Sequence, residues 1–241
     1  MEIYRVAINY KLESRKFKVK SENRSYCDYC GKQLHWYENV PVVSWIIQNG
    51  KTRCCDKKLP ILYPIVELLT GLLFLLFVET HNYASLLIMI IGLIMITMLV
   101  FSAIFDVKYM ILPDFSTGIL IIAAIILMLG GYGNPPLQML LSGLGASGFL
   151  LALNLITKGK GMGMGDVKLA LFMGLLLGPV RVVMAFYIAF IVGAVISLVL
   201  IILKKVSRKS VVPFGPFLIL GTVVAWFLDS SLVNKMINLI R

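Results

Sequence analysis

From Leu59 onward the chain is a succession of apolar runs, each close to the ~20 residues an α-helix needs to cross a bilayer. They fall at about 60–78, 84–105, 115–131, 137–157, 167–180, 182–203 and 213–229, and are rich in Leu, Ile, Val, Met and Gly. Nothing in them alternates with the two-residue period of a transmembrane barrel strand. They are apolar on all faces, which suits helices surrounded by lipid and by one another. Composition agrees: 59% of the 241 residues are hydrophobic and 15% charged, far from the balance of a soluble domain, and the mean hydropathy is +0.89. Disorder is excluded by the same numbers, and four cysteines are too few for a secreted disulfide scaffold. The expected fold is an all-α polytopic membrane protein with about seven transmembrane helices. It divides into a polar segment at 1–58, a membrane bundle at 59–229 and an amphipathic tail at 230–241.

The net charge of +11 is distributed by topology. Twelve of the 23 basic residues lie in 1–58. Placing that segment in the cytoplasm puts Lys108, Lys158, Lys160, Lys168, Lys204, Lys205, Arg208 and Lys209 on the same side, leaving Arg181, Lys235 and Arg241 opposite. This asymmetry is the positive-inside pattern and predicts the N-terminus inside and the C-terminus outside. The excess charge is therefore assigned to orientation and lipid headgroups, with no nucleic-acid partner. Residues 1–20 are polar and basic, without the apolar core of a cleavable signal peptide.

Acidic residues are scarce after position 58: Glu67, Glu79, Asp106, Asp114, Asp166 and Asp229. An ionised Asp in a bilayer costs roughly 2.5–3.5 kcal/mol on insertion scales, so each needs a reason. Glu79 and Asp229 fall at outer helix ends, where solvation supplies one. Asp106, Asp114 and Asp166 all fall at the cytoplasmic edge. Asp114 follows Pro113 and reads as a helix N-cap; for Asp166, after the run Gly161-Met162-Gly163-Met164-Gly165, capping the next helix is the bland reading, one compatible with catalysis and not by itself a reason for the flexible run before it. That run predicts a flexible loop able to take positive φ, in which Gly163, Gly165 and Lys168 support Asp166. Its glycine spacing fits neither a dinucleotide nor a Walker loop. Asp106 ends a helix, a poor place for a carboxylate electrostatically, which points to a pairing with Asp166. Two carboxylates held together share a proton. Such a pair can activate water against a peptide carbonyl and protonate the leaving amine. Neither histidine, His35 or His81, forms a competing nucleophilic set. A proton- or ion-coupled transporter using intramembrane carboxylates is the alternative. It calls for a carboxylate near the midplane and for internal repeats, neither of which is evident. Glu67, inside the first helix, is open to a structural or a functional reading.

Five stretches together resemble the type IV prepilin peptidase family: Phe105-Asp106 through Leu112-Pro113-Asp114; Gly163-Met164-Gly165-Asp166-Val167-Lys168; Val212 to Phe217; Leu34 to Pro41; and Tyr63 to Leu68. The resemblance implies a bacterial inner-membrane aspartyl endopeptidase that cleaves the basic leader of prepilins or secretion pseudopilins at the cytoplasmic face. Asp106 and Asp166 would be its catalytic pair, with no metal at the peptidase centre. Many bacterial members also N-methylate the new N-terminus using S-adenosylmethionine. Members usually begin with a further membrane helix leading into a segment like Ile3-Tyr4-Arg5, here preceded by Met1 almost directly.

Cys27-Asp28-Tyr29-Cys30 has the spacing of a zinc knuckle. The second pair, Cys54-Cys55, is abnormal: family members often carry a second C-x₂-C, and Thr52 stands where its first cysteine would be. A structural zinc held by Cys27, Cys30 and Cys55, with Cys54 or His35 as the fourth ligand, is the expected metal site.

Overall fold

The computed structural model describes residues 25–27, 29–81, 85–159, 162–203 and 212–227. The tail at 230–241, the segment around Ile3–Arg5, Gly161 of the glycine run and the basic group 204–209 lie outside them. Two compact units divide at Gly71. In the first, a single-turn 3₁₀ helix at Trp36–Asn39 precedes α1 (Val43–Ile47) and the start of α2 (Leu62–Thr80). The second holds the end of α2 and then α3 (Leu86–Tyr109), α4 (Asp114–Leu129), α5 (Pro136–Ile156), α6 (Met164–Ile202) and α7 (Gly215–Phe227). Among the described residues the only β pairing is two isolated bridges, Tyr26 with Gln33 and Lys51 with Lys58.

The sequence-based expectation of an all-helical membrane bundle holds. Four helices (α2, α3, α5 and α6) are long and apolar enough to cross a membrane. Their outward faces carry Leu75, Leu86, Ile156 and Ile202, each more than two-thirds exposed. A soluble protein does not display so much apolar surface, and lipid is the solvent that accepts it. The fifth and sixth expected spans form one kinked element. Gly178 adopts φ 73° and ψ −178°, breaking α6 just before Pro179, which lacks the N–H an unbroken helix would need there and fits the first turn of the next segment. The break falls a little before the expected gap at 181.

α6 is the hub, packing on α4, α5 and α7. Small residues permit this closeness. A Cβ on Gly174 would lie 2.5 Å from the Gly143 Cα of α5, and one on Gly221 of α7 would strike the Ala185 carbonyl of α6. Where lipid removes the hydrophobic drive between helices, such close backbone approach is a principal source of association. At the start of α4, the buried hydroxyls of Ser102 and Ser116 bond each other at 2.8 Å, tying α3 to α4.

Candidate active site and cysteine cluster

Asp106 lies in the last turn of α3, which continues four residues past the expected boundary. Its carbonyl accepts the Met110 N–H at 2.7 Å, and Met110 closes the helix in the left-handed conformation, φ 55°. The chain turns through Leu112 and Pro113 into α4. Here one expectation is corrected: Pro113 is the N-cap and Asp114 the first helical residue, because the extended φ/ψ of the cap position is what a proline favours.

Asp166 is likewise not the N-cap of its helix. Gly163 is, and Asp166, three residues later, turns its carboxylate back to accept the Gly163 N–H at 3.0 Å. This is the acidic half of a capping box, which satisfies an otherwise orphaned amide. The expected supporting loop is mostly helix: Gly165 and Lys168 lie within the first turns of α6, and Gly163 has φ −82°. At Gly165 the need for glycine is close approach, since a Cβ there would sit 2.8 Å from the Leu112 Cβ. The preceding turn is anchored by the buried Asn154 of α5, whose Nδ2 donates to the Met162 carbonyl at 2.5 Å.

The three edge aspartates divide sharply. Asp106 and Asp166 are 5% and 7% exposed. Asp114 has a 78% exposed side chain and accepts Lys168 Nζ at 2.6 Å. Lys168 thus serves an exposed ion pair. Oδ2 of Asp106 is buried with no hydrogen-bond partner among the described residues, a costly state for a polar atom. Both buried acids lie within a turn of a helix end, away from mid-helix positions suited to ion coupling at a bilayer centre.

Sequence reasoning missed Leu112 and Gly215 as parts of this site. Leu112 is buried between Gly165 and Gly215, and a Cβ on Gly215 would lie 3.3 Å from Leu112 Cδ1 and 2.6 Å from Asp106 Oδ2. The available signal was a glycine within a pair bracketed by prolines, Pro213-Phe214-Gly215-Pro216.

In the first unit the four cysteines converge, with all Sγ atoms within 4.8 Å of one another. Cys30 lies 3.1 Å from Cys54, and Cys55 lies 3.9 Å from both Cys27 and Cys54. Tetrahedral thiolates around zinc, with bonds of about 2.3 Å, stand about 3.8 Å apart, so the donor set fits. Two matching turns build it. Cys27 N–H donates to the Lys32 carbonyl and Gly31 N–H to that of Cys27. Likewise Thr52 N–H donates to the Lys57 carbonyl and Asp56 N–H to that of Thr52. Gly31 (φ 69°) and Asp56 (φ 54°) occupy the same left-handed position. Thr52 therefore stands where Cys27 stands in the first turn, and Cys55 matches Cys30. Cys54, inside the second turn, supplies the fourth sulfur. The Thr52 hydroxyl accepts the Lys57 N–H at 3.0 Å and touches Cys55 Sγ at 3.1 Å. That contact holds the Cys55 thiol down to about 7, whereas hydrogen bonding with Cys30 pushes Cys54 up to about 12. His35 is not in the cluster. It caps the 3₁₀ helix and stacks on Tyr37, over which Arg53 also lies. Glu67 resolves as structural, its Oε2 accepting the Val42 N–H at 2.6 Å.

Residues 93–198, which include both buried aspartates, match the model of the type IV leader peptidase family. Residues 3–81, which include the cysteines, match the bacterial peptidase A24 N-terminal domain. Three curated relatives carry the name prepilin leader peptidase/N-methyltransferase. The one from Legionella pneumophila is 30% identical over 95% of this chain and 82% of its own. That from Neisseria gonorrhoeae is 34% identical over 91% and 74%, and that from Bacillus subtilis is 27% identical over 90% and 86%. No solved structure matches the chain.

Proposed function

The chain belongs to the type IV leader peptidase family, and from that premise we propose that Asp106 and Asp166 are the catalytic pair of a membrane aspartyl endopeptidase. Its substrates are type IV prepilins or secretion pseudopilins, cleaved between the basic leader and the mature chain at the cytoplasmic face of the bacterial inner membrane. The observation that carries this is the selective burial of two acids from different helix ends, beside a third that stays exposed and ion-paired. Asp166, with an amide hydrogen bond at a helix N-terminus, is the ionised partner, and Asp106 holds the proton. As water attacks the scissile carbonyl its proton passes to Asp166, and Asp106 protonates the departing amine, so the pair ends with the proton exchanged between its members. Purified protein in detergent, given a prepilin that retains its leader, should cleave it. Asp106→Asn and Asp166→Asn should each abolish cleavage while accumulating normally. Persistent cleavage in either variant contradicts the assignment.

The charge asymmetry orients the chain with its N-terminus in the cytoplasm and its C-terminus outside. Cys27, Cys30, Cys54 and Cys55 hold a structural zinc, which would pin the two turns of the N-terminal unit together. Metal analysis should then give one zinc per chain, reduced by Cys27→Ser or Cys54→Ser, and a metal-free protein of unchanged stability would refute it. The family relatives' names also carry N-methyltransferase activity. In this chain a shallow pocket beside Cys54, bounded by Lys32, His35, Tyr37, Glu38 and Arg53, offers cationic, anionic and aromatic groups. Such a mixture suits S-adenosylmethionine, a ligand with a carboxylate, a sulfonium and an adenine, which supplies the methyl group when bound. Equilibrium binding of S-adenosylhomocysteine, weakened by Arg53→Ala, tests this reading.

A further inference from the structure

Gly215 is buried and opens α7 directly after Pro213 and Phe214. The first amides of a helix lack intrahelical acceptors. In this turn Pro216 has no N–H, while Phe217 and Leu218 both donate to the Phe214 carbonyl, at 3.1 and 3.2 Å. Gly215 lies against the Asp106 carboxylate, whose Oδ2 is buried without a partner among the described residues. The fit leaves no space for a side chain: a Cβ at 215 would lie 2.6 Å from Oδ2 and 3.2 Å from Cγ of Asp106. Leu112 fills the remaining wall and touches both glycines that flank the acids, Gly215 beside Asp106 and Gly165 just before Asp166.

We propose that Gly215 is a positioning residue for the peptidase reaction, acting through Asp106, with Leu112 as the spacer that sets Asp106 against Asp166. The bare Cα lets the N-terminus of α7 seat on the carboxylate. When Asp106 gives its proton to the leaving amine, the negative charge forms beside the positive end of a helix already in place. This rests on the reading of Asp106 as a catalytic acid, and the test separates the two.

Cleavage of a leader-bearing prepilin is measured across substrate concentration for wild type, Gly215→Ala, Leu112→Ala, the double variant and Asp106→Asn, with a melting curve for each. Because small misplacements of a reacting group cost up to about a hundredfold, Gly215→Ala should lower kcat by about 30-fold or more with KM within about threefold. Leu112→Ala should lower kcat by about fivefold, and the double variant should recover at least about fivefold over Gly215→Ala, since contacting residues couple. A Gly215→Ala enzyme within about threefold of wild-type kcat overturns the proposal. So does a loss of KM and kcat in step with melting temperature, or strict additivity in the double variant. If Gly215→Ala does not accumulate, Leu112→Ala decides alone, and unchanged kcat overturns the proposal. An active Asp106→Asn enzyme would instead bring down the dyad itself. An inactive Asp106→Asn beside an active Gly215→Ala removes only the role of Gly215.

Discussion

The two ends of α4 and α7 hold polar clusters of opposite character. Where the helices begin, among the described residues, Asp106 keeps an unpartnered oxygen and Asp166 has a single backbone partner. Where they end, His81, Tyr132 and Trp226 saturate one another. His81 Nε2 meets the Tyr132 hydroxyl at 2.7 Å, Trp226 Nε1 donates to that hydroxyl at 3.4 Å, and His81 Nδ1 meets the Thr80 hydroxyl at 2.9 Å. Phe77 stacks on the imidazole, with ring centroids 4.4 Å apart. A satisfied polar network stabilises and specifies a fold, whereas an unsatisfied buried acid is costly and persists for chemistry. The first cluster is thus read as the working end and the second as a clasp.

Replacements at the two ends should separate activity from stability. The largest effect belongs to Asp106→Asn or Asp166→Asn, each lowering cleavage by about 10³-fold or more, within the range of about 10²–10⁴ for loss of one proton-transfer group. Melting temperature should hold steady or rise, because Asp166→Asn removes a buried charge and Asp106→Asn replaces a neutral buried acid with a neutral amide of similar size. Tyr132→Phe should do the reverse. It strands His81 and Trp226 at a cost of about 1–3 kcal/mol, read as a lower melting temperature, while cleavage stays within about twofold. If Tyr132→Phe abolished cleavage at unchanged stability, the division of labour would be wrong.

The clasp should also carry a pH signature. Burial pushes His81 below its usual 6.5, so the unfolded chain binds its proton more readily than the folded one. Stability from the neutral imidazole is therefore complete above about pH 6.5 and declines as pH falls below it. His81→Gln should flatten that decline, and an unchanged acid slope would remove His81 from the account. Smallest of all is Lys168→Ala. Its ion pair with Asp114 is exposed, and such pairs contribute about 0–1 kcal/mol, so neither melting nor cleavage should move appreciably.

Much of this was legible in the sequence, for reasons that differ by element. Apolar length announced the helices, since only a closed backbone survives in lipid. Scarcity of acids singled out Asp106 and Asp166, because a carboxylate stands out where almost nothing else is charged. The role of Lys168 was not legible, as its partner Asp114 is 54 residues away. Nor was the use of the glycines: alternating Gly suggested a loop, but Gly165 is needed for the approach of Leu112 inside a helix. Gly215 was hidden for the same reason, since what a missing Cβ makes room for depends on another helix. The register of the second cysteine turn was half visible. Thr52 marked the vacant position, but only the fold brings Cys54 round to the other sulfurs.

The central claim is that the two acids act as one unit, and the double replacement tests it most directly. The cleavage rate of Asp106→Asn/Asp166→Asn should equal that of either single variant, because a shared proton is lost with the first substitution. A double variant slower than both singles by the product of their separate losses would show two independent contributions, and the dyad would not exist.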